Sequence, residues 1–98
     1  MDRFAALRTF VTVVEKGSFA AAAETLRLSR AMATKHVADL EARLDTRLLN
    51  RTTRRLSLTE AGADFHRRGQ EILDLFDEAE RAATTSTAQP SGVLRINA

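Results

Sequence analysis

The side chains able to act on another molecule crowd into one stretch of the chain: Ser29, Arg30, Thr34, Lys35, His36, Arg51, Arg54 and Arg55. All can donate hydrogen bonds, and the cationic ones suit the acceptors that phosphates and base edges present. The chemistry on offer is recognition of a polyanion, not bond making. Nowhere does a nucleophile stand with a base and an orienting group at informative spacing, and no glycine-rich phosphate loop is present, so the chain does not read as an enzyme. His36 and Asp39, three residues apart, are too few to hold zinc without cysteine or a nearby second histidine. The complete lack of cysteine excludes disulfides, thiolate metal sites and cysteine nucleophiles. No metal and no cofactor is expected.

The formal charge of +2 conceals a separation: Arg27 to Arg55 carries eight Lys/Arg against Asp39, Glu41 and Asp45, net +5, while the remainder nets −3. Glu71, Asp74, Asp77, Glu78 and Glu80 share a ten-residue window that contains no cation. A localised positive surface is the electrostatic footprint of nucleic-acid binding. No apolar run approaches the roughly 18 residues that cross a bilayer. The start of the chain, Asp2 and Arg3 followed by amphipathic sequence, does not read as a signal peptide. A cytoplasmic protein without a membrane partner is expected. At 98 residues the chain holds one modest domain near the low end for burying a core unaided, so oligomerisation would help.

The elements that must position the donors follow from spacing. Phe4, Leu7, Phe10, Val11 and Val14 share one face of a first helix that ends at Lys16 and Gly17, with Gly17 as the C-cap. Ser18 caps a second helix, FAAAAETL, whose four alanines give high propensity and a thin surface for close approach. Leu26 and Leu28 are expected to close it into the core. Ser29 caps a third helix in which Ala33, Val37, Leu40 and Leu44 face inward. Arg30, Ala31, Thr34 and Lys35 then occupy the opposite surface near its start, as two adjacent i, i+4 rows. The free N–H groups and dipole at that helix start also attract phosphate.

Between Leu48 and Thr59 the helical period is lost, and two short strands around Arg54 and Arg55 form a basic hairpin. Thr59 caps a long helix running to about Ala83, in which Phe65, Gly69, Ile72, Phe76, Ala79 and Ala83 make a heptad-like stripe suited to a partner helix. His66 is expected to be solvated or near a dimer surface. The polar segment from Thr84, with the only proline, reads as a hinge, and Val93 to Ala98 as the opening strand of a further domain.

Three blocks in order, FVTVVEKGSFAAAAETLRLS, LEARLDTRLLNRTTRRLSLTEAG and GVLRINA, resemble the N-terminal DNA-binding region of LysR-type transcriptional regulators from Met1 to about Gly92. The resemblance implies a mainly α fold: a winged helix-turn-helix over 1–59, a linker and dimerisation helix over 60–83, a hinge over 84–92 and a truncated effector-binding domain from 93. It also implies a homodimer on an interrupted palindrome in double-stranded promoter DNA, tetramers at full length, and a small-molecule effector for the missing C-terminal domain. Ser29, Arg30, Ala31, Thr34, Lys35 and His36 are then carried over as the major-groove set. Arg51, Arg54 and Arg55 become wing contacts to phosphate or the minor groove. Arg30 stands where the family usually has Gln, Ala31 where Pro is common, and Asp45 where Gly is common; the first exchange replaces an amide suited to adenine with a guanidinium suited to guanine or phosphate. The competing readings are a helical module whose basic segment binds an acidic protein, and an architectural DNA binder without sequence preference.

Overall fold

The computed structural model describes residues 2–51 and 55–88. Within them the chain runs α1 (Arg3–Lys16), α2 (Phe19–Leu26), α3 (Arg30–Leu44), β1 (Leu49–Arg51), β2 (Leu56–Leu58) and α4 (Glu60–Ala88). The two strands pair antiparallel with Leu49 opposite Leu58, Asn50 opposite Ser57 and Arg51 opposite Leu56. Three helices around a core followed by a small hairpin make a winged helix-turn-helix, from which α4 departs as a stalk.

Each helix start is satisfied by a side chain from the preceding residue. The Asp2 carboxylate accepts from Phe4 and Ala5 N–H, both at 3.1 Å; Ser18 Oγ accepts from Ala21 N–H at 3.0 Å and Ser29 Oγ from Met32 N–H at 3.0 Å. The ends are left-handed: Gly17 at φ 83°, as expected, and also Arg27 at φ 59° and Asp45 at φ 51°. At Arg27 the N–H of Leu28 reaches back to Ala23 O (2.8 Å) and that of Arg27 to Glu24 O (3.3 Å). At Asp45 the N–H groups of Thr46 and Asp45 reach Glu41 O (3.1 Å) and Ala42 O (3.2 Å). This double closure satisfies the last carbonyls of a helix. Alanine does the rest of the work in α2: Ala22 and Ala23 are buried, so α2 lies close to α1 and α3.

The core is Phe10, Val13, Val37, Leu48 and Leu49, all essentially without exposure, bordered by Ala6, Leu7, Val11 and Leu40. Burying aliphatic and aromatic side chains of this size stabilises by about 1.5–3 kcal/mol each. The buried hydroxyls of Thr9 and Thr12 donate to Ala5 O (2.8 Å) and Arg8 O (2.7 Å), so neither is left unpaired.

Two polar junctions attach the hairpin and stalk to this core. From α3, the buried Glu41 carboxylate accepts through Oε2 from the N–H groups of Leu48 (2.8 Å) and Leu49 (3.1 Å), while Oε1 faces Arg51 at 3.4 Å. Thr59 Oγ1 accepts from Gly62 N–H at 2.9 Å, capping α4, and donates to Arg47 O at 2.7 Å. The Thr59 N–H meanwhile donates to Leu48 O at 3.0 Å. The first turn of α4 thus lies directly on the Leu48 peptide, where a Cβ at Gly62 would overlap the carbonyl oxygen and stand 2.9 Å from its carbon.

Four expectations are corrected. Leu44 is 38% exposed, not inward, because the last turn of α3 overhangs a groove bounded by Phe4, Leu7, Leu40 and Phe65. Leu26 and Leu28 are half-buried at the rim of the core. Helix α4 continues to Ala88, five residues past the expected end at Ala83, since Thr84–Ala88 contains nothing that stops a helix before Pro90. His66 is half-buried with Nε2 shielded and its ring 6.4 Å from that of Phe10, because its side of α4 faces α1. The remaining expected hinge residues 89–92 and the strand Val93–Ala98 lie outside the described residues.

Removing the Glu41 carboxylate leaves two buried N–H groups without a partner, each a loss of about 1–3 kcal/mol. Urea denaturation should therefore show Glu41→Ala destabilised by roughly 3 kcal/mol and Glu41→Gln, which keeps an acceptor, by about 1 kcal/mol. In the same assay Gly62→Ala should lose about 2 kcal/mol or more despite its better helix propensity, because the new methyl meets backbone that cannot rotate away.

Candidate nucleic-acid interface

The capped start of α3 puts Arg30, Ala31, Thr34 and Lys35 on the surface, all exposed. Opposite them Ala33, Val37 and Leu40 are buried, so the face is fixed by the core and not by its own contacts. Ala38 and Ala42, also exposed, continue the same surface toward the C-terminus of α3. Sequence reading overlooked them because alanine carries no chemistry, yet their small size leaves the middle of the face low enough for a close approach. Ser29 is exposed at the helix entrance with its oxygen engaged on Met32 N–H. Lys35 Nζ donates to Asp39 Oδ2 at 3.0 Å.

His36 does not join this group. At 100° per residue it lies about 160° around α3 from the middle of the exposed face. The structure turns it, half-buried, toward a groove of about 160 Å³ lined by Ala5, Arg8, Thr9, Leu26 and Leu28.

The hairpin arginines divide. Arg51 folds back: besides Glu41, its guanidinium lies 5.3 Å from the centre of the Phe19 ring, and its side chain is only 34% exposed. It joins hairpin, α3 and α2, a structural role that its position in a cationic run hid. Arg55 is exposed just before β2, and Arg54 lies outside the described residues. Arg27, Arg43 and Arg47, counted in the basic segment but not singled out, are exposed too.

The stripe on α4 also divides. Phe65 packs on Phe10 with ring centres 5.8 Å apart, and Gly69 is buried where α1 crosses, its missing Cβ leaving room for Leu7 and Val11. Leu73, absent from the expected stripe, is buried with them, 6% exposed. Phe65 and Gly69 therefore serve the chain's own core. Ile72, Phe76, Ala79 and Ala83 are exposed, together with Leu75, which sequence reading missed and which is 65% exposed. Phe76 belongs to both surfaces: half of it covers Phe4, at 4.8 Å between ring centres, beside an Arg8–Asp77 pair at 3.9 Å. Nearer the start of α4, Asp64 pairs with Arg68 and Arg67, and these hydrogen bonds, that from Arg68 foremost, hold its carboxyl below the usual range. No helix among the described residues is long and apolar enough to cross a membrane.

Comparison with known proteins places this geometry. Residues 4–63 match the family model of bacterial regulatory helix-turn-helix proteins of the lysR family. The chain is 46% identical over 97 residues to an HTH-type transcriptional repressor of Pseudomonas aeruginosa, covering 99% of this chain and 31% of that protein. It is 47% identical over 91 residues to the HTH-type transcriptional regulator CrgA of Neisseria meningitidis, covering 93% and 30% respectively. The chain thus spans about a third of the length of these curated relatives. Among solved structures, the BenM_DBD complex with catB site 1 DNA superposes with a TM-score of 0.84 at 29% identity, covering 95% of this chain and 99% of that one. The CbnR_DBD–DNA complex gives 0.77 at 34% identity, covering 89% and 99%. With the family model spanning the helix-turn-helix, the hairpin and the start of α4, the chain belongs to the lysR family of bacterial regulatory helix-turn-helix proteins.

Proposed function

We propose that this chain is the sequence-specific DNA-binding part of a longer, cytoplasmic LysR-type transcriptional regulator. Helix α3 enters the major groove with Arg30, Thr34 and Lys35 toward base edges and Ser29 toward phosphate, and the hairpin lies along the flanking backbone. The observation that carries this reading is the continuous exposed surface of Arg30, Ala31, Thr34, Lys35 and Ala38 on a helix whose other side is locked into the core. The net charge of +5 between Arg27 and Arg55 supplies the long-range attraction. Support also comes from the solved relatives, two of which are complexes with DNA, and from the transcriptional regulators and repressor among the related sequences.

A second copy covers the exposed part of the α4 stripe in this reading. Ile72, Leu75 and Phe76 are large apolar side chains at 50, 65 and 44% exposure on one helix, an arrangement that favours association in water. Two copies present two α3 helices, and two-fold symmetry then calls for an interrupted palindrome. An effector-binding domain following the hinge belongs to the same proposal, as does assembly beyond the dimer.

Fluorescence anisotropy with duplexes selected from random sequence, measured over a salt series, tests the DNA reading. Wild-type protein should show a steep log–log salt slope and a preferred site; Arg30→Ala or Thr34→Ala should lose about 1–3 kcal/mol of discrimination at one base pair. Arg55→Ala should instead weaken all duplexes alike and flatten the slope by about one. No binding at low salt would refute it. In sedimentation equilibrium, the double change Ile72→Asp, Leu75→Asp should convert a dimer to a monomer while leaving the circular dichroism of the fold intact; a dimer that persists would place the interface elsewhere.

A further inference from the structure

Lys35 carries an anion with it onto the proposed reading face. Its Nζ sits 3.0 Å from Asp39 Oδ2, with the two side chains 66% and 34% exposed. As a source of stability this pair is poor. Both groups are hydrated, exposed pairs contribute little, and a cation one turn before its anion is the less favourable order along a helix. The better order is available one turn later, with Arg43 four residues beyond Asp39, yet the ion pair that forms is with Lys35. The carboxylate also stands at the edge of a surface meant for a polyanion, where it repels phosphate.

The effect on Lys35 is what this arrangement changes. An untethered lysine is a compact charge on a flexible four-carbon stem and reaches a backbone phosphate as readily as a base. Phosphate contacts hold a protein on DNA without carrying sequence information. Tied to Asp39, the ammonium is kept alongside α3, one turn toward its C-terminus, at the edge of the exposed face. Asp39 itself accepts only from amino groups, which in the major groove belong to cytosine N4 and adenine N6.

We propose that Asp39 is a positioning residue for DNA recognition: by holding the Lys35 ammonium it turns a side chain that would neutralise backbone charge into one that reads a base edge. The chain thereby gives up affinity for arbitrary duplex and gains discrimination. This rests on the assignment of α3 as the DNA-contacting helix.

The test compares wild-type chain with Asp39→Ala, Asp39→Glu, Lys35→Ala and the double change Lys35→Ala, Asp39→Ala, by anisotropy on a selected site, its single-base variants and random duplex over a salt series. Asp39→Ala should bind random duplex several-fold tighter, with a salt slope steeper by about 0.9, the contribution of one added phosphate contact. It should also lose about two- to fivefold of the preference at one base pair, the range that an exposed ion pair can direct. Asp39→Glu, which can still reach Lys35, should keep wild-type discrimination, and in the Lys35→Ala background removal of Asp39 should cause no further loss. The proposal is overturned if Asp39→Ala leaves both slope and discrimination at wild-type values, or shifts them equally with and without Lys35. Wild-type binding with an unresponsive Asp39→Ala overturns the tether alone, whereas absence of wild-type binding at low salt removes the DNA reading and the tether together. All variants lie on the surface, and unchanged thermal melting shows that each is folded.

Discussion

What α3 presents to solvent depends on a carboxylate in its last turns that the hairpin entrance covers. Glu41 is buried on α3 and takes both N–H groups at the entrance to the hairpin, Leu48 and Leu49, while those residues place their side chains in the core. The same Leu48 peptide gives its carbonyl to Thr59, whose hydroxyl starts α4. Helix α3, hairpin and stalk are therefore referenced to one short length of backbone. An unpaired carboxylate there would be costly, and so would unpaired amides, so the junction holds only when all its members are in place. Arg51 closes it by covering Glu41 from outside and lying over Phe19.

The angle between α2 and α3 has a different origin. Arg27 adopts left-handed geometry in the turn, and Asp45 does so after α3, although a residue with a Cβ loses about 1–2 kcal/mol in that conformation. Each reversal recovers two helix-terminal hydrogen bonds, and the one at Arg27 also brings Leu28, half-buried, to the rim of the core. For Asp45 the short polar side chain eases the geometry. For Arg27 no local compensation of that kind exists, and the turn is held by the packing of α2 and α3 on α1.

Much of this was legible in the sequence because it rests on local rules. The caps at Ser18, Ser29 and Thr59, the C-cap at Gly17, the inward set Ala33, Val37 and Leu40, and a hairpin between Leu48 and Thr59 all follow from side-chain type and period. What escaped depends on contacts between segments. Nothing around Glu41 says that its charge is buried, since its partners are backbone amides seven and eight residues away. Arg51 looks like its neighbours in a basic run until Phe19 and Glu41 are beside it. Gly69 and Phe65 fit a heptad with Ile72, but the crossing of α1 takes them and selects Leu73 in place of Ile72. His36 follows the exposed Lys35 in sequence and points elsewhere in space because one step along a helix is a 100° turn.

The length of α4 bears on how two such chains would be spaced. Its 29 residues span about 43 Å, and its first part is committed to α1, so the outward stripe begins only near Ile72. For any pairing along that stripe, sliding the two helices by one turn moves the paired heads by about 5.4 Å, more than one base-pair rise of about 3.4 Å. Leu75, Phe76 and Ala79 would then act as the teeth of a gauge: in the proposed dimer their interlock, far from any nucleotide, would set the number of base pairs between half-sites.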